Sequence, residues 1–270
     1  MDSFVTEHTG LLKGMGLTTA QCPFCGAGTA RNSGKAFCIS CESHIDFGKP
    51  DDLAGISRKM PAFYRDALLG KTEKLDGFAG EKRQQPLPPG VLYGIGVLYS
   101  HASSYAYHDR DYARMGFMEE NSANVYASLS LTSKSKEFLY KALDSVERPG
   151  GSAGVEDAAY LKFIANVRLG RMTYAKRALG EIPAPDAALQ QYSHMVYSVS
   201  TRSKDPMEYI DSMIRSGEPN ALYYLARHLA QRRMFSDAVA VLQELISAWK
   251  SPMSEYLLRD LLEFMAKTSM

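Results

Sequence analysis

The chain has 270 residues, of which 45% are hydrophobic, enough to bury a substantial core in one large domain or in a small and a larger one. Its 31 basic and 30 acidic side chains leave a formal net charge of +1, which excludes a global electrostatic attraction to nucleic acid or to an acidic membrane. No apolar run approaches the roughly 20 residues needed to span a bilayer, and residues 1–8 lack the basic and apolar regions of a signal peptide. We therefore expect a soluble, intracellular protein of the cytoplasm.

Residues 1–20 carry no clear periodicity, and we predict an N-terminal arm there. A cysteine-bearing segment with short β-compatible stretches follows at 21–48. Apolar residues with helical spacing then predict a helix within 49–69. The segment 70–90 mixes charged residues, glycine and glutamine and ends in a proline-rich run, which favours extended polyproline II structure. We interpret it as a linker to a helical domain at 91–270.

The only cysteines of the chain form two pairs with the same internal spacing, and twelve residues separate the pairs. The four residues are Cys22, Cys25, Cys38 and Cys41. Each pair can bind a metal ion from one side, and two pairs complete a tetrahedral site. Metal ligation is favoured over disulfides in a reducing compartment, and a disulfide between cysteines so close in sequence closes a strained ring that usually implies redox work. The sequence therefore predicts one structural Zn²⁺ bound by four thiolates.

Residues 20–48 resemble a zinc ribbon. The first knuckle reads Cys-Pro-Phe-Cys-Gly over residues 22–26, and Gly26 can take the positive φ that a tight turn requires. Residues 26–37 are compatible with a β-hairpin. The second knuckle departs from the usual ribbon pattern because Glu42 stands where a glycine is frequent, so we expect a different closing turn there.

Two alternatives concern the ligands and the metal. A single iron bound by four thiolates, as in rubredoxin, is the main rival, although the second pair, Cys38-Ile-Ser-Cys41, lacks the proline and glycine usual in such sites. His44 could replace a ligand, but with four thiolates available we expect it at the surface or next to a ligand. A four-thiolate zinc site leaves no open position for water. We therefore expect it to fold the ribbon rather than to catalyse a reaction.

After residue 90 the sequence predicts a mainly α fold. Apolar residues recur at positions i, i+3, i+4 and i+7 in windows about 34 residues apart. These windows contain Leu139, Ala142, Leu143 and Val146; Ala175, Ala178, Leu179 and Ile182; Ile210, Met213 and Ile214; and Ala238, Val241, Leu242 and Leu245. A helix–turn–helix array of this period resembles tetratricopeptide-type repeats, with Ala175 and Ala238 where paired helices cross. Because such an array has its own core, we expect its helices to survive loss of the metal.

Tetratricopeptide-like arrays resemble scaffolds that hold partner peptides or proteins. Our first hypothesis is therefore a zinc-binding adaptor for protein–protein interaction, with no enzymatic activity and no membrane partner. The alternative is a nucleic-acid-associated factor of transcription or the ribosome that contacts its target through the zinc ribbon. Residues 1–50 hold four basic and four acidic side chains, which is a poor electrostatic footprint for phosphate.

A third hypothesis places an enzyme site in the tyrosine- and histidine-rich region 93–112. His101 and His108 are seven residues apart and share a helical face, with Asp109 beside them. The simpler interpretation is that the tyrosines pack against the core with hydrated hydroxyls. Gly94-Ile95-Gly96 lacks the third glycine and the strand–loop–helix context of a nucleotide-binding loop.

Overall fold

The computed structural model describes residues 18–31, 34–47, 54–81, 87–113, 118–148, 158–183, 187–202, 205–248 and 252–268. Most of the predicted N-terminal arm lies outside these residues, as do residues 82–86 of the predicted linker.

A small β region surrounds the two cysteine pairs. Strand β1 (Thr18–Gln21) pairs with β2 (Gly28–Arg31), and β3 (Lys35–Phe37) pairs antiparallel with β4 (His44–Asp46). Each cysteine pair lies in the turn between two paired strands. The predicted β region, with a cysteine pair in each of its two turns, is therefore present, and it is the only sheet structure among the described residues.

The rest of the described chain is helical, which confirms the predicted mainly α class. The helices are α1 (Ala54–Ser57), α2 (Met60–Ala67), α3 (Glu73–Glu81), α4 (Pro89–Ala113), α5 (Met118–Glu147), α6 (Ala158–Arg168), α7 (Met172–Glu181), α8 (Ala187–Thr201), α9 (Met207–Arg215), α10 (Asn220–Gln231), α11 (Phe235–Ala248) and α12 (Pro252–Thr268). None of these described helices combines the length and apolar character needed to cross a membrane.

Helix α3 occupies part of the segment that we predicted to be a linker. Leu75 and Phe78 are buried on one face of this helix, and the Phe78 ring lies 5.2 Å from that of Phe63 in α2. Residues spaced i and i+3 lie on the same side of a helix, so Leu75 and Phe78 form one apolar face of α3. The surrounding charges and glycines concealed that pattern in the sequence.

The described residues divide into two compact units. One unit contains the first cysteine pair and helices α1 to α6. Within it, α4 packs along α5, and the predicted apolar face of α5 is buried. A Cβ on Gly96 of α4 would lie only 3.0 Å from the Leu139 side chain, and the Ser135 hydroxyl donates a hydrogen bond to the Gly96 carbonyl at 2.7 Å. Gly96 thus lets the two long helices approach closely.

Two tyrosines of α4 are packed in this unit with bonded hydroxyls. Tyr99 donates to a carboxylate oxygen of Asp76 at 2.6 Å, and Lys134 donates to the same oxygen at 2.7 Å. Burial tends to raise the pKa of Asp76, but the hydrogen bonds from Lys134 and Tyr99 outweigh it and hold that pKa below its usual value. Tyr93 accepts a hydrogen bond from Arg168 at 2.8 Å. These contacts favour the packing interpretation of both tyrosines.

The other unit contains β2 to β4, the second cysteine pair and helices α7 to α12. Each of these helices packs on the next one in sequence, and α10 also contacts α8 and α12. The predicted apolar windows form its buried faces, apart from the half-buried Leu179. Their buried members are Ala175, Ala178 and Ile182; Ile210, Met213 and Ile214; and Ala238, Val241, Leu242 and Leu245.

The burial of two alanines, Ala175 in α7 and Ala238 in α11, gives a test of this packing. Ala175 and Ala238 are both 0% exposed, so a phenylalanine at either position must overpack its helix contact, at a cost of roughly 1–3 kcal/mol. We expect urea denaturation to show this loss for Ala175→Phe and for Ala238→Phe. The matched control is Ala266→Phe on the exposed face of α12, which should unfold like the wild type. Unchanged stability in both core variants would contradict the assigned helix contacts.

Candidate metal centre

The first cysteine pair lies in a tight turn between β1 and β2. The Gly26 amide donates to the Cys22 carbonyl at 2.9 Å, and the Cys22 amide donates to the Ala27 carbonyl at 2.8 Å. Gly26 has φ of 80°, a conformation that glycine adopts without the steric penalty of a Cβ. The turn brings Cys22 and Cys25 to the same side of the chain.

The second cysteine pair repeats this turn with a different residue at its end. The Glu42 amide donates to the Cys38 carbonyl at 2.7 Å, and the Cys38 amide donates to the Ser43 carbonyl at 2.9 Å. Glu42 takes φ of 62°, close to the value of Gly26. Our expectation of a different closing turn was therefore wrong. The Tyr224 hydroxyl donates a hydrogen bond to the buried Glu42 carboxylate, and this contact holds a residue that is otherwise unfavourable in the left-handed region.

The first knuckle is seated against two helices through glycines. A Cβ on Gly94 of α4 would lie 1.9 Å from the carbonyl oxygen of Phe24, and one on Gly90 would lie 2.5 Å from the Phe24 ring. A Cβ on Gly26 would lie 2.2 Å from the carbonyl carbon of Met60 in α2. Since such separations are far below van der Waals contact, only glycine permits these approaches.

The second knuckle is seated against α8 and α10 through side chains. The Phe37 ring stacks on Tyr192, with ring centroids 3.8 Å apart and planes at 5°. The Asn220 side-chain amide donates to the Cys38 carbonyl at 3.2 Å and to the Tyr192 hydroxyl at 2.9 Å. This knuckle is therefore part of the core of its helical unit and is not a separate module.

The sulfur atoms of the two pairs lie together. All four are within 4.8 Å of one another, and every cysteine is 0% exposed: Cys22, Cys25, Cys38 and Cys41. A tetrahedral zinc site with Zn–S bonds of about 2.3 Å places its sulfurs about 3.8 Å apart. No disulfide joins these cysteines. The cluster has the ligand chemistry and the spacing to bind one metal ion.

Two polar groups adjoin the cluster. The Ser43 hydroxyl lies 3.1 Å from the Cys41 sulfur, where it can donate to a thiolate. Burial raises the pKa of Glu218 to about 8, against hydrogen bonds from the Asn220 and Phe37 amides that favour the charged carboxylate, and proximity to Cys38 raises it further.

The other sequence-predicted candidates lie elsewhere. His44, the proposed substitute ligand, lies beside Phe37 with ring centroids 5.0 Å apart, and the cluster found among the described residues consists of cysteines alone. His101 is buried, with its ring edge-on to Tyr64 at 5.9 Å. The side chains of His108 and Asp109, the other members of the predicted His–Asp group, lie outside the described residues.

Comparison with known proteins found no matching family model, curated protein or solved structure. The similarities to zinc ribbons and to tetratricopeptide-type repeats therefore rest on the residues described above.

Sequence reasoning missed the residues that brace the cysteines. Gly90 and Gly94 are one helical turn apart, a spacing that indicates close approach of another backbone to a helix. The nucleotide-loop hypothesis paired Gly94 with Gly96 instead, and the predicted linker ended at Gly90. Asn220 and Tyr224 carried no comparable signal, because their partners, Cys38 and Glu42, are both 182 residues away in sequence.

A glycine substitution tests the seat of the first knuckle. In Gly94→Ala the new methyl group meets the Phe24 carbonyl, so we expect a loss of roughly 1–3 kcal/mol or more in the free energy of unfolding. The matched control is Gly80→Ala in α3, where a Cβ meets nothing within 4 Å and helix propensity should give a gain of up to about 1 kcal/mol. Equal melting temperatures for the two variants would contradict the close contact between Gly94 and the Phe24 carbonyl.

Proposed function

We propose that Cys22, Cys25, Cys38 and Cys41 bind one Zn²⁺ as a structural site. The observation that carries this proposal is the burial of four sulfur atoms within 4.8 Å of one another in two turns of matching backbone geometry. Tetrahedral four-sulfur sites hold zinc or iron. Zinc fits a purely structural role, because it has no redox chemistry and four thiolates close its coordination shell.

The proposed zinc would stabilise more than the β region. Metal binding supplies folding free energy to the segments that carry its ligands. Here those segments pack against helices: the first knuckle contacts Gly94 of α4, and the second contacts Asn220 of α10. We still expect the helices to survive loss of the metal. Because loosened knuckles would deprive two helix faces of a packing partner, we expect the helices to melt at a lower temperature.

Metal analysis gives the direct test. We expect one zinc per chain in the purified protein, and its loss in Cys38→Ser together with a clear fall in the helical melting temperature. His44→Ala serves as the control and should keep its full zinc content. Iron with a visible thiolate absorption band would replace zinc in the proposal, and a metal-free wild type that melts like the zinc-treated protein would refute it.

We further propose that the helices act as an adaptor for protein partners. The proposal is supported by the order of α7 to α12, in which contacts run between sequence neighbours and next neighbours as in a tetratricopeptide-like array. It is also supported by large apolar side chains that remain exposed on the helices of the chain. These exposed side chains on regular helices are Tyr126, Leu129, Tyr140, Tyr174, Leu262 and Phe264.

The nucleic-acid alternative requires a ribbon surface that reaches phosphate. Both knuckles instead face helices of the chain itself, and their ligand residues are fully buried. We therefore place the partner on the helices and propose an intracellular location, in keeping with reduced thiols as metal ligands.

Salt dependence separates these two functions. We expect proteins captured from native extract by the full chain to be retained after nuclease treatment. We also expect fluorescent duplex and single-stranded oligonucleotides to bind only weakly at two salt concentrations. Submicromolar oligonucleotide binding with a log–log salt slope near −0.9 per duplex phosphate neutralised would favour the nucleic-acid function instead.

A further inference from the structure

We propose that Asn220 and Tyr224 of α10 are positioning residues of the metal centre: they hold the second cysteine knuckle in its ligating conformation and so determine how tightly the metal is retained. The proposal rests on the metal site proposed above. It extends that site from the four cysteines to helix α10. Asn220 and Tyr224 each follow their partner in the second knuckle, Cys38 and Glu42, by 182 residues.

The two residues lie on the same face of α10, because a spacing of four is about one helical turn. Both side chains are almost fully buried, with 2% of Asn220 and 1% of Tyr224 exposed. They reach the two ends of the same turn. Asn220 bonds the carbonyl of Cys38, where the knuckle begins, and Tyr224 bonds the side chain of Glu42, which follows the last cysteine.

The contact with Asn220 fixes the carbonyl that closes the turn. The Cys38 carbonyl accepts the Glu42 amide at 2.7 Å and the Asn220 side-chain amide at 3.2 Å. A second donor restricts the direction of this carbonyl. Asn220 is itself held by the Tyr192 hydroxyl at 2.9 Å, and Tyr192 stacks on Phe37, which directly precedes Cys38.

The contact with Tyr224 holds the residue that makes the turn unusual. Glu42 has φ of 62° and is 7% exposed, so its carboxylate needs a partner inside the protein. Without the tyrosine hydroxyl, Glu42 loses a buried contact that holds its side chain inside the protein. The backbone at Glu42 would then move out of the left-handed region and carry the adjacent Cys41 sulfur with it.

Zinc affinity of the full chain, measured by competition with a chromophoric chelator, tests the proposal. We expect Tyr224→Phe and Asn220→Ala each to raise the zinc dissociation constant about tenfold or more, the usual effect of removing a group that orients a metal ligand. We also expect the visible absorption of the cobalt-substituted protein to change, because the sulfur geometry changes. A purely structural role would lower the melting temperature without altering that spectrum.

Matched controls lie on other helices. Tyr99→Phe also removes a buried tyrosine hydroxyl that donates to a carboxylate, and Asn166→Ala removes a buried asparagine that donates to a carbonyl at 2.8 Å. Neither residue contacts a cysteine knuckle among the contacts described. Both controls should keep the wild-type zinc affinity and cobalt spectrum, even where they melt at a lower temperature.

A double-mutant cycle with Glu42→Gly tests whether Tyr224 affects zinc affinity through Glu42. Glycine adopts the turn conformation without help from Tyr224, so Tyr224→Phe should change zinc affinity little in the Glu42→Gly background. An equal effect in both backgrounds, or wild-type affinity in Tyr224→Phe and Asn220→Ala alike, would overturn the inference while leaving the zinc site intact. A wild type that binds no metal would overturn the proposed function itself.

Discussion

Four sulfur atoms within 4.8 Å of one another and cut off from solvent are the constraint on which the rest of this structure depends. As thiolates they repel one another, and burial deprives them of hydration. Such a cluster persists when a cation neutralises it and when the backbone on both sides is fixed. The chain meets the second requirement with two turns of the same hydrogen-bond pattern, each closed by a residue of positive φ.

The two turns reach one geometry by different chemistry. Gly26 has no side chain, and its freedom is used twice, for the positive φ and for the close contact with Met60. Glu42 gives up that freedom, and its carboxylate gains a bond to Tyr224 that glycine could not make. Substitution of glutamate for glycine therefore does not weaken the resemblance to a metal-binding knuckle. At Gly26 the positive φ is allowed because there is no Cβ, whereas at Glu42 it depends on the hydrogen bond from Tyr224 of α10.

The sequence predictions that the structure confirms were based on patterns among residues close together in the chain. Cysteine spacing and the apolar windows act within one turn or one helix, so that the β region and the buried helix faces could be read directly from the chain. Helix α3 was missed because Leu75 and Phe78 supply only two apolar residues among charges and glycines. The contacts that hold the knuckles against helices were missed for another reason. They join Cys38 to Asn220 and Phe24 to Gly94, and contacts between residues distant in sequence produce no periodic pattern in a single sequence.

Helix α4 shows how a suggestive motif can serve packing on two sides. Residues 94 and 96 are about 200° apart around a helix, so their glycines face opposite directions. Gly94 admits the backbone of Phe24, and Gly96 admits the Leu139 side chain of α5. A nucleotide-binding loop would instead follow a strand, open a helix and carry a third glycine. The two glycines let α4 lie close to the first cysteine knuckle on one side and to α5 on the other, which ties the first knuckle to the core of its helical unit.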